Sequence, residues 1–465
     1  MNLPGWRKIF GNISFWIALF FLVHLIGIWN PPIEAAHSWR QATGLMVARN
    51  YFEGNTSFFY PMVDETNGGS GVIGMEFPLL YYVQGKLSLL FGFHPGIGRI
   101  LNVLISTIGL GYFYALLMRF TPKKQAFYAT LLLGVSCYFM YSRKVMPDTA
   151  ALAVYIIGTY YFFEALRYGK WKDIVVSFAA LSLGILLKIS VLPLVAVGVF
   201  AYLHFRNKPK KAGLFILPWI STLPAMFWYF VWNPTLAENY GNWYNTGGSF
   251  LEGARAMMNE PVALIKHLMF HPFFSYLAFG LLLVGVWKVI RLEVDMAVRV
   301  ALPVFLLLFL AYALKSGEIF LTHEYYLLPM VPVLAICGAY ALVEMRKFGT
   351  VMMFLIAVES VANQSHDFRY NKGEAYKVRL NSLADKFIPK NALVAINGNS
   401  NPLELYLMDR KGWNLNDDAI QNKTFIRGLK KQGCRYLILN RHTNPLKFDG
   451  SCIFQNRDYF IYLLQ

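Results

Sequence analysis

Eleven apolar segments recur along the first 363 residues, near 13–30, 98–118, 125–142, 147–166, 173–188, 190–205, 213–233, 272–290, 297–314, 324–344 and 348–363. Runs of this length fit the ~30 Å hydrocarbon core of a bilayer and are hard to bury otherwise. Composition agrees, since 56% of the 465 residues are hydrophobic and 15% are charged, against about 25% charged in soluble domains. Disorder is excluded by the apolar content, and a disulfide-stapled scaffold by the presence of only 4 Cys. The chain reads as an α-helical polytopic membrane protein.

Its 43 Lys+Arg against 26 Asp+Glu leave a net charge of +17. In a soluble protein that balance would point to nucleic acid. Here the basic residues gather in short loops: Arg119/Lys123/Lys124, Arg167/Lys170/Lys172, Arg206/Lys208/Lys210/Lys211, Lys288/Arg291/Arg299 and Arg346/Lys347. The positive-inside rule makes these loops cytoplasmic, together with an N-terminus carrying Arg7 and Lys8, so the charge reports topology and no nucleic-acid partner is expected. The first apolar stretch, Ile13–Trp29, lacks a small-x-small cleavage site and reads as an uncleaved span. Strict alternation then gives about eleven transmembrane helices and makes Phe77–Phe93 an interfacial or re-entrant helix. Residues 31–97, the turn Ser142–Asp148, Lys188, the loops 234–271 and 315–323 and the tail after 364 fall on one extracytoplasmic face.

The expected division is a membrane-embedded catalytic part, residues 1–363 with the first outer loop 31–97, followed by a tail, residues 364–465. In that polar tail, Leu393–Asn397, Arg435–Asn440 and Asp458–Leu464 read as strands, and Pro402–Arg410 and Asp418–Gln432 as helices, predicting a small extracytoplasmic α/β domain. Cys434 and Cys452 both fall there and are candidates to pair, whereas Cys137 and Cys337 sit in spans.

Chemistry-bearing residues concentrate on the outer face. In the first outer loop, His37, Arg40 and Gln41 follow i, i+3, i+4 spacing on a predicted helix, with either a cavity or solvent as the environment of that face. Asp64-Glu65 precedes the flexible Thr66–Gly71, and a carboxylate there suits a base that begins to deprotonate an acceptor hydroxyl, unless it is an ordinary loop acid. Glu76 adjoins the apolar Phe77–Tyr82. The turn Ser142–Asp148 carries Arg143 and Lys144 against the charge rule, with Asp148 opening the next span; ionisable groups at this depth point to a phosphate site or to an Arg143–Asp148 pair. Lys188 is a second outward cation, for phosphate or snorkelling, and His323-Glu324-Tyr325-Tyr326 adds a titratable cluster. A divalent metal held by His37, His323 and an acid is compatible with these residue types, although the spacing carries no ligand signature. No Walker-type loop or nucleophile elbow occurs.

One span, a long outer loop whose helix bears Arg40 and Ala42, then Tyr60-Pro61, Glu76-Phe77-Pro78-Leu79-Leu80-Tyr81-Tyr82, Arg143 with Met146-Pro147-Asp148, Lys188, and Tyr325-Tyr326-Leu327-Leu328-Pro329 follow one another in order. In this order the chain resembles the polytopic GT-C glycosyltransferases of family 39, which include protein O-mannosyltransferases and bacterial aminoarabinose transferases of lipid A. The resemblance implies a GT-C fold in a bacterial inner membrane. It also implies inverting transfer of a sugar from a polyprenyl-phosphate carrier to a glycan, lipid or protein acceptor of the cell envelope. The family's Asp-Glu-x-Arg-Tyr-Ala setting, matched through Arg40 and Ala42, has His37-Ser38 in place of the acids and Gln41 in place of Tyr. Its Lys-Pro-Pro-Leu matches Glu76–Leu79, so a phosphate-binding Lys becomes Glu76. The base is then expected to be Asp64, with His37 as the alternative and Glu65 or Glu34 after it, and phosphate binding rests on Arg40, Arg143 and Lys188. Gln41, Glu76, Asp148, His323, Tyr325 and Tyr326 complete the expected substrate site. Competing readings are an envelope polymerase or ligase using a diphosphate-linked donor, and a transporter, although no inverted repeat is present.

Overall fold

A computed structural model describes residues 9–34, 36–205, 212–241, 247–291, 296–443 and 448–464. Arg7, Lys8, Arg206, Lys208, Lys210 and Lys211 lie outside the described residues. Each apolar segment expected from the sequence is helical over much of its length, but many are shorter or more broken than a single span. Pro95–Leu117, Asp148–Tyr168, Gly213–Tyr240 and Met296–Ser316 are long and apolar enough to cross a membrane. Ile13–His24, Ile189–Phe205, Pro261–Phe270, Tyr276–Trp287 and Val331–Glu344 are shorter apolar helices.

The breaks have local causes. The segment expected at 125–142 ends its first helix at Val135, and Ser136, with ψ −170°, caps the next short helix by accepting the Tyr138 N–H. Ile189–Ala196 winds as a 3-10 helix around Pro193, because proline removes a donor and clashes with the preceding turn.

The chain forms two compact units, one of Met1–Ile28, Arg99–Phe230 and Asn245–His366, the other of Trp29–Gly98, Val231–Tyr244 and Asp367–Gln465. In the first unit, helices Asp148–Tyr168 and Trp171–Leu187 approach backbone to backbone. A Cβ on Gly158 would meet Leu181 N at 2.6 Å, and one on Gly184 would meet Tyr155 Cβ at 2.9 Å. Small residues allow this approach where no hydrophobic effect drives helix association.

The second unit joins the first outer loop to the tail, a grouping that differs from the expected division at 363/364. Helix Ser38–Phe52 packs on helix Leu79–Phe91 at Gly85, where a Cβ would meet Ala48 O at 2.7 Å. The 13 residues of Leu79–Phe91 span only about 20 Å, short of the ~30 Å core, and Leu89, Leu90 and Phe91 at its end are exposed. The tail contains strands β1 (Leu393–Ile396), β2 (Gly412–Asn414), β3 (Cys434–Asn440), β4 (Ser451–Gln455) and β5 (Tyr459–Leu463), in the order β2-β1-β3-β5-β4. The pairs β1–β2 and β1–β3 are parallel, whereas β5 runs antiparallel to β3 and β4.

Strand β2 lies at the sheet edge, where unpaired N–H and C=O groups need a partner. The outer loop supplies it: Gly412 N–H donates to Asp64 O at 2.9 Å and Thr66 N–H to Gly412 O at 2.9 Å, with Glu65 bridging Gly412 in parallel. Beneath lies a core of Trp413, Leu415, Ile426, Leu437, Leu439 and Phe460. Cys434 on β3 and Cys452 on β4 are separated by β5 and are both free thiols. Two inter-strand spacings, about 9.5 Å, exceed the reach of a disulfide, so the expected pairing does not form.

Candidate active site

Helix Ser38–Phe52 begins one residue after His37, which adopts φ 57° in the left-handed region and caps nothing with its side chain. The expectation that His37 shares a helical face with Arg40 and Gln41 is therefore corrected, because a left-handed residue leaves the helical path. Arg40 and Gln41 are on the helix but fully buried. Arg40 pairs with Glu76, whose Oε1 also accepts the Tyr81 hydroxyl at 2.7 Å, and Gln41 Nε2 donates to Glu34 Oε2 at 2.9 Å. The residue matched to the family's phosphate-binding Lys thus acts here as the counter-ion of Arg40, whose charge is engaged inside the protein.

Asp64 is similarly engaged. One carboxylate oxygen pairs with Arg49, and Oδ1 accepts Asn50 Nδ2 at 3.0 Å. Arg49 also reaches Asp409 Oδ1 and the Tyr406 carbonyl, each at 3.0 Å, and lies 4.7 Å from the Tyr406 ring centroid. Burial acts to lower the pKa of Arg49, but the charges around it, Asp64 foremost, prevail and raise it. Burial acts to raise that of Asp409, yet Arg49 and Lys390 hold it below the usual carboxylate range. Neighbouring Glu65 is different: burial raises its pKa, and no opposing charge offsets the shift.

The second group of residues belongs to the helical unit. Asn102, within helix Pro95–Leu117, fixes the turn before Asp148: its Nδ2 lies 3.1, 2.9 and 3.0 Å from the carbonyls of Tyr141, Lys144 and Met146, and its Oδ1 accepts Thr149 Oγ1 at 3.1 Å. Arg143 and Lys144 are fully buried, with Arg143 Nη2 donating to the Ile26 carbonyl at 3.0 Å.

Asp148 opens helix Asp148–Tyr168 and is 1% exposed, yet neither carboxylate oxygen has a hydrogen-bond partner. Lys188 Nζ stands 3.6 Å away and 5.6 Å from the Tyr325 ring centroid. Tyr325 packs against Tyr141, Tyr326 and His323 at centroid distances of 5.6, 4.9 and 5.3 Å, and the Tyr141 hydroxyl donates to Glu324 Oε2 at 2.9 Å. Asp148, Lys188, His323, Tyr325 and Tyr326, scattered over much of the sequence, therefore converge. The buried carboxylate and the partly buried ammonium are beyond hydrogen-bond length of each other, so the pair retains capacity for an incoming hydroxyl or phosphate oxygen.

Sequence reasoning passed over Asn102, Tyr141, Arg49 and Asp409. An Asn inside an apolar helix is a signal for Asn102, but nothing local marks Arg49 or Asp409. Among the described residues, no group of three His, Cys, Asp or Glu is placed to hold a metal ion.

Residues 76–236 match the family described as dolichyl-phosphate-mannose-protein mannosyltransferase. ArnT from Cupriavidus metallidurans, in the crystal structure bound to undecaprenyl phosphate, superposes with a TM-score of 0.63 at 13% identity, over 96% of this chain and 98% of that one. The chain resembles this family over residues 76–236 and shares the fold of ArnT over most of its length. The apo oligosaccharyltransferase of Archaeoglobus fulgidus superposes at a TM-score of 0.56 and 11% identity, over 92% of this chain and 70% of that one. No curated protein matches by sequence. Among the described residues, four helices are long and apolar enough to cross a membrane.

Proposed function

We propose that the chain is an inverting glycosyltransferase of the bacterial inner membrane, moving a sugar from a polyprenyl-phosphate carrier to a cell-envelope acceptor on the extracytoplasmic face. The observation that carries this reading is the buried Asp148, with open carboxylate oxygens, beside the partly buried Lys188, found in a fold shared with a protein that binds undecaprenyl phosphate. Lys188 offsets charge on the departing lipid phosphate, held by the Tyr325 ring. Asp148 orients Lys188 and stabilises positive charge developing at the anomeric carbon. A base takes the acceptor hydroxyl's proton, the acceptor oxygen bonds to the anomeric carbon, and the bond to the phosphate oxygen breaks.

Asp64, engaged by Arg49 and Asn50, serves to hold the loop. The base role passes to His37, which occupies the family's acid position and a strained backbone conformation of the kind found at functional sites. Glu65 is the second candidate, because burial raises its pKa.

The test is release of polyprenyl phosphate by purified protein in nanodiscs, from a panel of polyprenyl-phosphate sugars with an envelope extract as acceptor. Release by wild type, with loss in folded His37→Gln and Lys188→Ala proteins, is the expected result. Loss in a folded Asp64→Asn protein would return the base role to Asp64. No release from any donor would overturn the reading in favour of a diphosphate-linked donor or transport.

A further inference from the structure

A cavity of about 700 Å³ opens at the carboxyl ends of β1 and β2 in the tail sheet. Open α/β sheets take their ligands at this end, because the strands finish there and the following loops part. Its wall combines Asn399 and Ser400 after β1, Asn414 and Asn416 at the end of β2, Phe425, and Asn67 from the first outer loop. No charged side chain lines it, in a chain whose net charge is +17. A phosphate, nucleotide or acidic-glycan site would be expected to carry Arg or Lys.

The polar groups that line it are amides and a hydroxyl. Asn414 stands out, since both its side-chain nitrogen and its oxygen are buried without a hydrogen-bond partner, and such groups are costly to leave unmet. Asn416 uses Oδ1 to cap the following helix at Ala419 N–H, 2.9 Å away, which leaves its NH₂ as a donor. Asn399 holds a left-handed conformation, φ 54°, and its N–H donates to Leu415 O at 3.0 Å, fixing the loop. Phe425 is 41% exposed at the cavity, an apolar ring face left open to solvent.

Amides that both donate and accept, beside an open aromatic face and without charge, match one ligand chemistry. A neutral sugar ring presents hydroxyls that both donate and accept around its edge and C–H bonds on its face. We propose that this cavity binds an uncharged oligosaccharide, which serves as the acceptor. Only the acceptor role rests on the transferase reading; binding itself does not.

The test uses the full chain in nanodiscs, with no lipid-linked donor present, and labelled gluco-, manno- and galacto-oligosaccharides of a few residues beside their uronic-acid counterparts, followed by fluorescence anisotropy. Binding of at least one neutral series, at least tenfold weaker for its acidic counterpart and at least tenfold weaker in Phe425→Ala, is expected. Phe425 is a surface side chain, so its truncation leaves the sheet core intact, and Asn414→Leu gives an independent second loss. The inference is overturned if wild type binds no neutral oligosaccharide, or if it binds one equally well in both variants. Absence of polyprenyl-phosphate release by wild type that still binds the oligosaccharide would overturn the transferase reading and leave the binding site standing.

Discussion

Asp64 and Asp148 are acids of nearly equal burial, 4% and 1% exposed, in very different settings. Around Asp64 the charges are matched inside the protein: Arg49 spans Asp64 and Asp409, Asn50 donates to Asp64, and the backbone of Asp64 pairs with Gly412. Around Asp148 the nearest cation stands 3.6 Å off and both oxygens lack hydrogen bonds. A satisfied buried network fixes architecture, whereas an unsatisfied buried charge costs stability and persists where something other than stability requires it. The outer-loop acid expected to be the base is thus engaged within the protein, whereas the acid that opens an apolar helix keeps both oxygens without hydrogen bonds.

Asp148→Asn tests this contrast most directly. Polyprenyl-phosphate release is expected to fall about a thousandfold, with the protein still monodisperse in detergent; a folded variant with full activity would break the contrast. Arg49→Ala should instead lower stability by about 3–5 kcal/mol, because it leaves the buried Asp64 carboxylate without its cation. Hydrogen exchange at the Gly412 and Thr66 amides would report the loop detaching from β2, and unchanged protection there would show that Arg49 is no fastening. Asn102→Ala removes the group that holds the turn before Asp148 and is expected to cost about 2 kcal/mol, measured by thermal unfolding, with a loss of activity beyond that of an equally destabilised control.

The smallest effect concerns pH. Burial raises the pKa of Glu404, whose Oε1 accepts from Tyr459 and Asn440 at 2.7 Å each. A carboxyl with a folded pKa above its unfolded value contributes stability that is fully present below the unfolded value and lost as pH rises through the folded one. Glu404→Gln should remove that loss, so its melting temperature relative to wild type should increase from pH 4 to pH 8, by a few degrees at most.

Much of the frame was legible in the chain. The apolar segments, the composition shift near 364 and the strands around Leu393, Arg435 and Asp458 follow from local hydropathy and its period, which neighbouring residues largely settle. The motif order also pointed to the family whose pattern residues 76–236 match. The roles within the site were less legible. Arg40 and Glu76 lie 36 positions apart, and no spacing rule pairs them. The i, i+3, i+4 spacing puts His37 on a helical face only if the helix has already begun, which its left-handed backbone shows it has not. Cys434 and Cys452 shared a domain, but strand order, which sequence does not encode locally, inserted β5 between them.

The sequence by itself determined that the chain is built of apolar helices with a polar α/β tail and that its ionisable residues cluster in particular loops. Apolar length, loop charge and strand alternation are properties of contiguous residues, and the bilayer and backbone hydrogen bonding act on them directly. Only the tertiary structure decided which charges neutralise one another and which stay open, since that depends on groups brought within a few ångströms from distant parts of the chain. It paired Asp64 with Arg49 and Arg40 with Glu76, placed Lys188 beside Asp148 without a hydrogen bond, and laid the outer loop along β2.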